Sequence, residues 1–311
     1  MYIANLPAKH HRVLTWLFFS IIILFSCAQP VSAEEVKEKY NNLTVNANLE
    51  LAEGKQMQDG VILLTHGLLM HNGMEIIKTM QALFKAHGYN SLAINYSLNI
   101  DDRHGPIDCN APHHHSRQKS LDEIGFWLAW LKEKNVRKII LAGHSSGAND
   151  IAEYHSHNPD PLITHLLMIT PATSDHAMNT PAGYRSRYHK DVNKILADAQ
   201  KLVDAGRDEE IMPKTDFLFC PAAPVSAATF ISYYGGYNSV RLLPTQLQHI
   251  QIPTIFIAAG ADNISADMSA IVKPYVDGKR IQLVTIDGAS HFLRDLFLED
   301  AVDAMVSFLQ K

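Results

Sequence analysis

Three residues that could share one reaction stand far apart in the sequence: Ser145, Asp262 and His291. A serine hydroxyl is a poor nucleophile until a base takes its proton, and a histidine can be that base when a carboxylate orients its ring. Ser145 lies in "GHSSG", Asp262 in "GADN" and His291 in "GASH". The residue types and their order therefore predict nucleophilic attack on an acyl group, provided that the fold brings the three side chains together.

The segment around Ser145 joins an apolar run to a helical pattern. Gly143 to Gly147 fits the motif Gly-x-Ser-x-Gly, in which the serine occupies a sharp turn between a strand and a helix. Glycine is needed at both ends because side chains there would collide as the strand and the helix pack closely. Ser146 is rejected as the nucleophile, since shifting the turn by one residue loses the glycine on its amino side.

Asp262 and His291 each come just after a predicted strand. Asp262 follows "TIFIAAG", and His291 follows "IQLVTI" within a few residues. Asp267, shortly after the same strand as Asp262, and Asp175, after an earlier strand, are alternative carboxylates. Among the histidines, His291 alone follows a late strand and opens a helical pattern. Placement at the strand ends favours Asp262 and His291, in the chain order serine, aspartate, histidine.

Short apolar runs recur along the chain between amphipathic segments. The runs are nearly continuous in apolar residues, as in strands buried on both faces of a parallel sheet. They are "VILLT" (61–65), "SLAINY" (91–96), "KIILAG" (138–143), "HLLMIT" (165–170), "TIFIAAG" (254–260) and "IQLVTI" (281–286). Alternation of such strands with helices predicts an α/β fold with a mainly parallel sheet flanked by helices.

Three of the helical patterns have readable limits. One runs from Met74 to Gly88, where glycine is a stop signal. A second runs from Ser120 to Asn135, and we predict Ser120 as its N-cap with Glu123 completing a capping box. The third begins at His291 and continues to the end of the chain.

The alternation breaks once, between Thr170 and Pro253. That segment has helical stretches but no run that must join the sheet, so we predict a helical cap over residues 171–252, inserted above the carboxyl edge of the sheet. Residues 34–170 and 253–311 would then form the core. A second long connection, residues 97–117, carries Cys109 and three consecutive histidines.

Together these motifs resemble the α/β-hydrolase superfamily, over roughly Val61 to Gln310. The resemblance implies an eight-stranded sheet with "VILLT" as its third strand, the serine turn after the fifth strand and the cap inserted after the sixth strand. The segment "THGLL" is similar to the family's His-Gly loop, which follows the third strand. In that family two backbone N–H groups bind the oxyanion of the reaction, and the resemblance assigns them to Leu68 and Ser146.

The first 33 residues have the layout of a secretory signal peptide. Lys9 and Arg12 precede an apolar run that is short for a membrane span, and the small-residue site Val-Ser-Ala ends at residue 33. We therefore expect an exported protein, periplasmic or secreted. The alternative is a membrane-anchored lipoprotein, because Cys27 ends a segment similar to a bacterial lipobox. Membrane association is expected only if the N-terminus is retained or Cys27 is lipidated.

The formal net charge is −5, and cleavage of the signal would remove Lys9 and Arg12 but no acidic residue. Such a balance does not favour nucleic acid as a partner. Export would leave Cys109 and Cys220, an even number in an oxidising compartment. Joined, they would close a loop of more than a hundred residues, worth up to about 5 kcal/mol in the chain-entropy model. The alternative is two unpaired thiols.

The 17 histidines raise the question of a metal. Adjacent histidines such as those at 113–115 cannot all face one ion, and zinc-motif spacings are missing from the sequence. We expect this loop to be solvated or to face the substrate. No metal site is predicted, and no cofactor, since phosphate-binding and dinucleotide motifs are also missing.

These observations favour a serine hydrolase that cleaves carboxylic esters of small molecules through an acyl-enzyme. An amidase, peptidase or acyltransferase with the same fold is the nearest alternative, because the same groups can perform those reactions. A binding protein on a hydrolase scaffold is the alternative that is not an enzyme. An intact serine, aspartate and histidine set argues against it.

Overall fold

The computed structural model describes residues 33–173, 180–235 and 243–311, together with the first two residues. Ten strands lie in these ranges, and the six apolar runs each form one of them. The strands are β1 (Glu34–Tyr40), β2 (Leu43–Glu50), β3 (Val61–Thr65), β4 (Asn90–Asn95), β5 (Ile139–His144), β6 (Ile163–Ile169), β7 (Ile211–Phe217), β8 (Cys220–Ser226), β9 (Thr254–Ala259) and β10 (Ile281–Ile286).

Eight of these strands form one sheet in the order β1-β2-β4-β3-β5-β6-β9-β10. The pairs from β4 through to β10 are parallel, whereas β1 pairs with β2 and β2 with β4 in antiparallel fashion. The predicted fold, a mainly parallel eight-stranded sheet, is confirmed. Its parallel strands all end at one edge, where the loops that follow β3, β5, β9 and β10 meet.

The first two strands have no counterpart among the apolar runs. β1 reads "EEVKEKY" and lies at the edge of the sheet, with its residues alternating between exposed and half-buried. Charged residues are usual on an edge strand because they oppose pairing with another chain. Because β1 has no continuous apolar run, that criterion does not identify it. The alternation of exposed and half-buried positions along the strand is the pattern that would have indicated it.

Nine helices lie in the described ranges and cover both faces of the sheet. They are α1 (Glu75–Ala86), α2 (Arg117–Glu133), α3 (Ser146–His157), α4 (Pro181–Tyr188), α5 (Val192–Asp204), α6 (Ala227–Tyr234), α7 (Leu243–His249), α8 (Met268–Val272) and α9 (Leu296–Leu309). The faces alternate along each strand: Leu63 of β3 packs on one side of the sheet and Ile62 and Leu64 on the other, all fully buried.

Two predicted helix starts are wrong. α2 begins at Arg117, and its N-cap is Ser116, whose side chain accepts the Lys119 N–H at 3.2 Å. Ser120 therefore lies inside the helix. α9 begins only at Leu296, which leaves His291 in the loop between β10 and that helix. At α9 the amphipathic pattern extends beyond the helix because the loop residues before it are partly buried as well, whereas α2 begins three residues before the predicted N-cap.

Glu123 does not complete a capping box either, since it faces the β4–α2 connection. Its carboxylate accepts the Ser97 backbone N–H at 2.8 Å and the Ser97 hydroxyl, and the side chain is almost fully buried. Burial raises the pKa of Glu123 to about 7, although the bonds from Ser97 and the nearby Arg103 act in the opposite direction.

A raised pKa in the folded state means that folding takes up a proton at Glu123. Stability should therefore fall as the pH rises from about 4.5 to 7, by about 1–3 kcal/mol from this group. Urea unfolding midpoints across that range would measure the slope. We expect Glu123→Gln to flatten it and Glu133→Gln, a change at an exposed position of the same helix, to leave it as in the wild type. Equal slopes in all three proteins would contradict the assignment.

The described part of the segment between β6 and β9 adds no strand to the main sheet. It contains α4 to α7, but also β7 and β8, which form a separate two-stranded antiparallel sheet that was not predicted. Pro213, Pro221 and Pro224 in these strands obscure the strand pattern in the sequence. Within this segment α6 contacts α2, and α7 contacts α3. The limits 171–252 and the role of the segment as a cap stay predictions.

A disulfide joins Cys109 to Cys220, with the two Cα atoms 5.2 Å apart. It fastens the β4–α2 connection to the start of β8. The His113 N–H donates to the Pro224 carbonyl at 2.9 Å, and the Ser226 N–H donates to the His113 carbonyl at 3.0 Å. The connection is therefore attached to this small sheet both covalently and by backbone hydrogen bonds.

Two of the three histidines are not solvated, and whether this loop faces the substrate stays a prediction. His113 and His115 are buried, and one ring nitrogen of each lies 3.1 Å from the other. The other ring nitrogen of His115 lies 3.1 Å from the Tyr233 hydroxyl of α6. Burial is the main cause that lowers the pKa of both, to about 3 for His115, so both rings are neutral at pH 7.

None of the helices in the described ranges is both long enough and apolar enough to span a membrane. Most of the predicted signal peptide, including Cys27, lies outside the described residues.

Candidate functional site

Ser145 stands at the turn between β5 and α3 in a strained backbone conformation. Its φ is 56° and its ψ −129°, a region that residues with a side chain rarely occupy. The Ser145 N–H donates to the Ile169 carbonyl of β6 at 2.9 Å, and its own carbonyl accepts the Ala148 N–H at 3.0 Å. The neighbouring strand and the first turn of α3 thus maintain the strain, and the half-buried serine side chain projects at the carboxyl edge of the sheet.

The glycines on either side of Ser145 are required by close packing. A Cβ at Gly143 would lie 2.6 Å from the backbone of Gly147 and Ala148. A Cβ at Gly147 would overlap the carbonyl oxygen of His66, in the loop after β3. The turn and that loop therefore approach each other backbone to backbone.

Gly147→Ala should consequently destabilise the protein by about 1–3 kcal/mol, because backbone has to move to admit one methyl group. Gly125→Ala is a matched control, also a helical glycine, at which the new methyl would meet only the end of the Tyr154 side chain, 3.2 Å away. Thermal melts should show a lower Tm for the first variant and an equal or higher Tm for the second. Equal Tm values for Gly147→Ala and wild type would show that the turn is not tightly packed.

The structure brings Ser145, His291 and Asp262 into one continuous line of hydrogen bonds. His291 Nε2 lies 2.9 Å from Ser145 Oγ, and His291 Nδ1 lies 2.8 Å from Asp262 Oδ2. A carboxylate can only accept, so Nδ1 carries the ring proton, and Nε2 is left to accept the hydrogen of the serine hydroxyl. Asp262 and His291 are both buried. The arrangement can remove a proton from the serine and stabilise the charge that then forms on the ring.

The second oxygen of Asp262 is held by backbone. Its Oδ1 accepts the N–H groups of Ile264 at 2.7 Å and Ser265 at 3.0 Å. Burial by itself would raise the pKa of Asp262, but the bonds from His291 and these two amides outweigh it and lower the pKa below its ordinary value. The carboxylate is therefore ionised at neutral pH and fixed in orientation.

The alternative carboxylates lie elsewhere. Asp267 accepts a hydrogen bond from the Thr173 hydroxyl, and Asp262 is the carboxylate that contacts His291. Asp175 lies outside the described residues.

Two loops place Asp262 and His291 next to each other. The Ala261 N–H donates to the Ala289 carbonyl at 2.8 Å, which ties the loop after β9 to the loop after β10. The His291 carbonyl accepts from the His144 ring at 3.0 Å and from the Thr170 hydroxyl at 3.3 Å. Burial lowers the pKa of His144 to about 3, and the charge of His291 adds to this effect. His144 is therefore a neutral donor that anchors the backbone of His291.

Leu68 and Ser146, the two residues assigned by the resemblance to the oxyanion, line one cavity beside Ser145. A Cβ on Gly67 would lie 3.3 Å from the Ser145 Cβ, so the loop after β3 passes close to the serine. Within the described ranges, neither the Leu68 N–H nor the Ser146 N–H donates a hydrogen bond. Two unbonded backbone donors, one adjacent to Ser145 in the chain and one in the loop that passes close to it, are suited to a developing oxyanion.

Arg103 supports this loop, although no sequence motif marks it. Its buried guanidinium donates to the carbonyls of Met70 at 2.8 Å and Tyr96 at 2.7 Å and to the Asn95 side chain at 2.6 Å. His66 also braces the loop, with Nδ1 2.9 Å from the Gly67 carbonyl. An arginine in a long connection carries no motif, so its role becomes visible only when the fold places it.

Among the described residues, one group offers three metal-ligand atoms within 4.8 Å of one another: Glu35, Asp102 and His104. It lies on the surface, away from Ser145. The Lys37 ammonium lies among these residues, 2.6 Å from Asp102 and 3.4 Å from Glu35. It therefore neutralises part of the negative charge that would attract a metal cation.

Comparisons with known proteins agree with the fold. The esterase Est1E from Butyrivibrio proteoclasticus superimposes with a TM-score of 0.61 at 18% identity, over 90% of this chain and 100% of that one. DcsB, solved with a substrate analogue, gives 0.65 at 15% identity, over 90% and 98%. A monoacylglycerol lipase from Paleococcus ferrophilus gives 0.57 at 17% identity, over 85% and 99%. No curated protein matched the sequence.

The family model described as "Protein of unknown function (DUF1749)" matches residues 114–309, which is more than half of the chain. The matched region begins within the three histidines and includes Ser145, Asp262 and His291. The chain thus belongs to the DUF1749 family of proteins of unknown function, and its sheet and helices share the fold of these solved hydrolase structures.

Proposed function

We propose that this protein is an exported serine hydrolase that cleaves carboxylic esters. The observation that carries the proposal is the line of hydrogen bonds from Ser145 Oγ through His291 to Asp262, at a strained turn beside two free backbone donors. A scaffold used only for binding needs neither the strain nor the ordered tautomer of His291. Esterases and a lipase among the structural neighbours support ester hydrolysis as the reaction to test first.

The reaction follows from the geometry. Ser145 Oγ attacks the acyl carbonyl as its proton passes to His291 Nε2, and the oxyanion accepts the N–H groups of Leu68 and Ser146. Asp262 stabilises the imidazolium. The bond to the leaving alcohol breaks as His291 returns the proton to its oxygen, which leaves an acyl-enzyme. Water then gives its proton to His291 and its hydroxide to the acyl carbon, and Ser145 leaves with that proton.

Export is supported by two features. The first 33 residues have the layout of a signal peptide. The Cys109–Cys220 disulfide is of the kind that forms in oxidising compartments.

The proposal is tested by treating the mature protein with a fluorophosphonate probe and locating the label by peptide mass. We expect one label, on Ser145. A p-nitrophenyl ester series from two to twelve acyl carbons, measured beside the matching p-nitroanilides, would then separate esterase from amidase activity. Absence of both labelling and turnover would refute the proposal and favour the binding scaffold.

A further inference from the structure

The two proposed oxyanion donors share a small cavity with several polar side chains. Besides Leu68 and Ser146 it is lined by Tyr96, Arg117, Asp150 and Tyr233, and we call it the oxyanion-side cavity. Its free space is about 20 Å³, which suits one group of the size of a water molecule. A wall against which only an alkyl chain packed would not need so many polar groups.

Two donors in this wall have no acceptor among the described residues. They are the hydroxyl of Tyr96 and the Nε–H of Arg117. Tyr96 is 4% exposed and Arg117 is 7% exposed, so bulk water does not satisfy them. Buried donors of this kind usually have a partner, which points to an oxygen acceptor supplied from outside the protein.

The charges around the cavity select the kind of acceptor. The Arg117 Nη2 lies 2.9 Å from the Asp150 carboxylate and 3.3 Å from that of Glu153, so two buried negative charges face one positive charge. A further carboxylate would be repelled, whereas a neutral oxygen would not. Burial and then the charge of Asp150 raise the pKa of Tyr96 well above its usual value, so its hydroxyl stays protonated and can donate.

We propose that the oxyanion-side cavity binds a hydroxyl or keto oxygen carried on carbon 2 or 3 of a short acyl group. This inference rests on the proposed function and adds the class of substrate. The small volume limits the group to one oxygen on a short chain. Leu68 and Ser146 line the cavity and are also the proposed oxyanion donors, so an oxygen bound in it would lie near the scissile carbonyl. The substrates would therefore be esters of small hydroxy or keto acids.

Ester pairs that differ only by hydroxyl and methyl test this directly. Ethyl 2-hydroxypropanoate is compared with ethyl 2-methylpropanoate, and ethyl 3-hydroxybutanoate with ethyl 3-methylbutanoate. The rate of hydrolysis is followed by titration of the released acid. A hydroxyl substituent makes the ester carbonyl more reactive even without enzyme. Each ratio of kcat/KM values is therefore divided by the ratio of the rate constants for hydrolysis of the same two esters by hydroxide. We expect the wild type to favour the hydroxy ester of at least one pair by about tenfold or more.

Tyr96→Phe removes one of the two donors and should reduce the preferred ratio by about fivefold or more, towards one. The intrinsic reactivity of the esters cancels in this comparison. Tyr89→Phe is the matched control. Tyr89 lies just before β4, at the opposite end of the strand from Tyr96, so this variant should keep the wild-type ratio. Since the Tyr96 hydroxyl has no hydrogen-bond partner among the described residues, we expect Tyr96→Phe to keep or raise the Tm.

Four outcomes would overturn the inference. The first is a corrected ratio near one for both ester pairs in the wild type. The second is a ratio that Tyr96→Phe leaves unchanged, which would mean that an ordered water satisfies these donors. A preference for monoethyl malonate, whose free carboxylate is charged, over ethyl propanoate would contradict the choice of a neutral oxygen. No turnover of either pair by protein that still labels with the fluorophosphonate would exclude a short acyl group. Absence of labelling, in contrast, would refute the proposed function itself.

Discussion

Ser145→Ala should lower kcat/KM for p-nitrophenyl acetate by about 10⁴- to 10⁶-fold, because no covalent intermediate can form without the serine oxygen. The remaining rate would come from binding and from the two backbone donors, which the substitution leaves in place. The fold should be unaffected, since the substitution removes one oxygen from a half-buried side chain. The measurement is the initial rate of p-nitrophenolate release per mole of folded protein, with fluorophosphonate labelling used to confirm that the wild type is fully active.

Ser146→Ala is the matched control for this substitution. Ser146 is the adjacent serine and is also half-buried, but the proposed reaction uses only its backbone N–H. We expect it to keep the rate within about threefold of the wild type, since the substitution leaves the Ser146 backbone N–H in place and removes only a hydroxyl that the reaction does not use. If Ser146→Ala lost most of the hydrolysis rate while Ser145→Ala stayed active, the nucleophile would be Ser146, and the assignment to Ser145 would be refuted.

Asp262→Asn should lower kcat by about 10⁴-fold with little change in KM. An amide at this position can donate to the histidine, which stabilises the tautomer with its proton on Nε2, and that tautomer cannot accept the proton of Ser145. The amide also removes the negative charge that stabilises the imidazolium. Steady-state kinetics with the same ester would separate the effect on kcat from an effect on KM.

Asp267→Asn is the control because Asp267 follows the same strand but accepts from Thr173 instead of contacting His291. Its kcat should fall by less than about tenfold, a change that reflects only the loss of that hydrogen bond. The reverse result, with Asp267→Asn inactive and Asp262→Asn active, would show that His291 changes its partner during the reaction.

The strands that end at the site were predictable because each is a continuous apolar run. β3, β5, β9 and β10 each leave a short loop at one edge of the sheet, and those loops carry the Gly67–Leu68 segment, Ser145, Asp262 and His291. Parallel strands direct their carboxyl ends to the same edge, so strand order alone brings residues that are distant in sequence together. For these residues, the apolar pattern of each strand was therefore enough to predict where the following loop lies in the fold.

The polar support of the site was not predictable in the same way. Arg103 and Arg117 act through contacts between segments whose separation in space depends on the whole fold. The sequence contains no spacing that would mark them, and a buried arginine looks like a surface one until its partners are known. Tyr96 is different, since it directly follows β4 at the carboxyl edge, and the rule that identified Asp262 could have identified it as well.

The disulfide also divides the proposed catalytic residues by topology. Cys109 and Cys220 close a covalent ring, 111 residues apart in sequence, that contains Ser145, whereas Asp262 and His291 lie on the tail that follows it. A single protease cut inside the ring would leave the chain in one piece until the disulfide is reduced. A cut between β8 and β9 would instead release a fragment with the base and its carboxylate, and the nucleophile would remain on the ring.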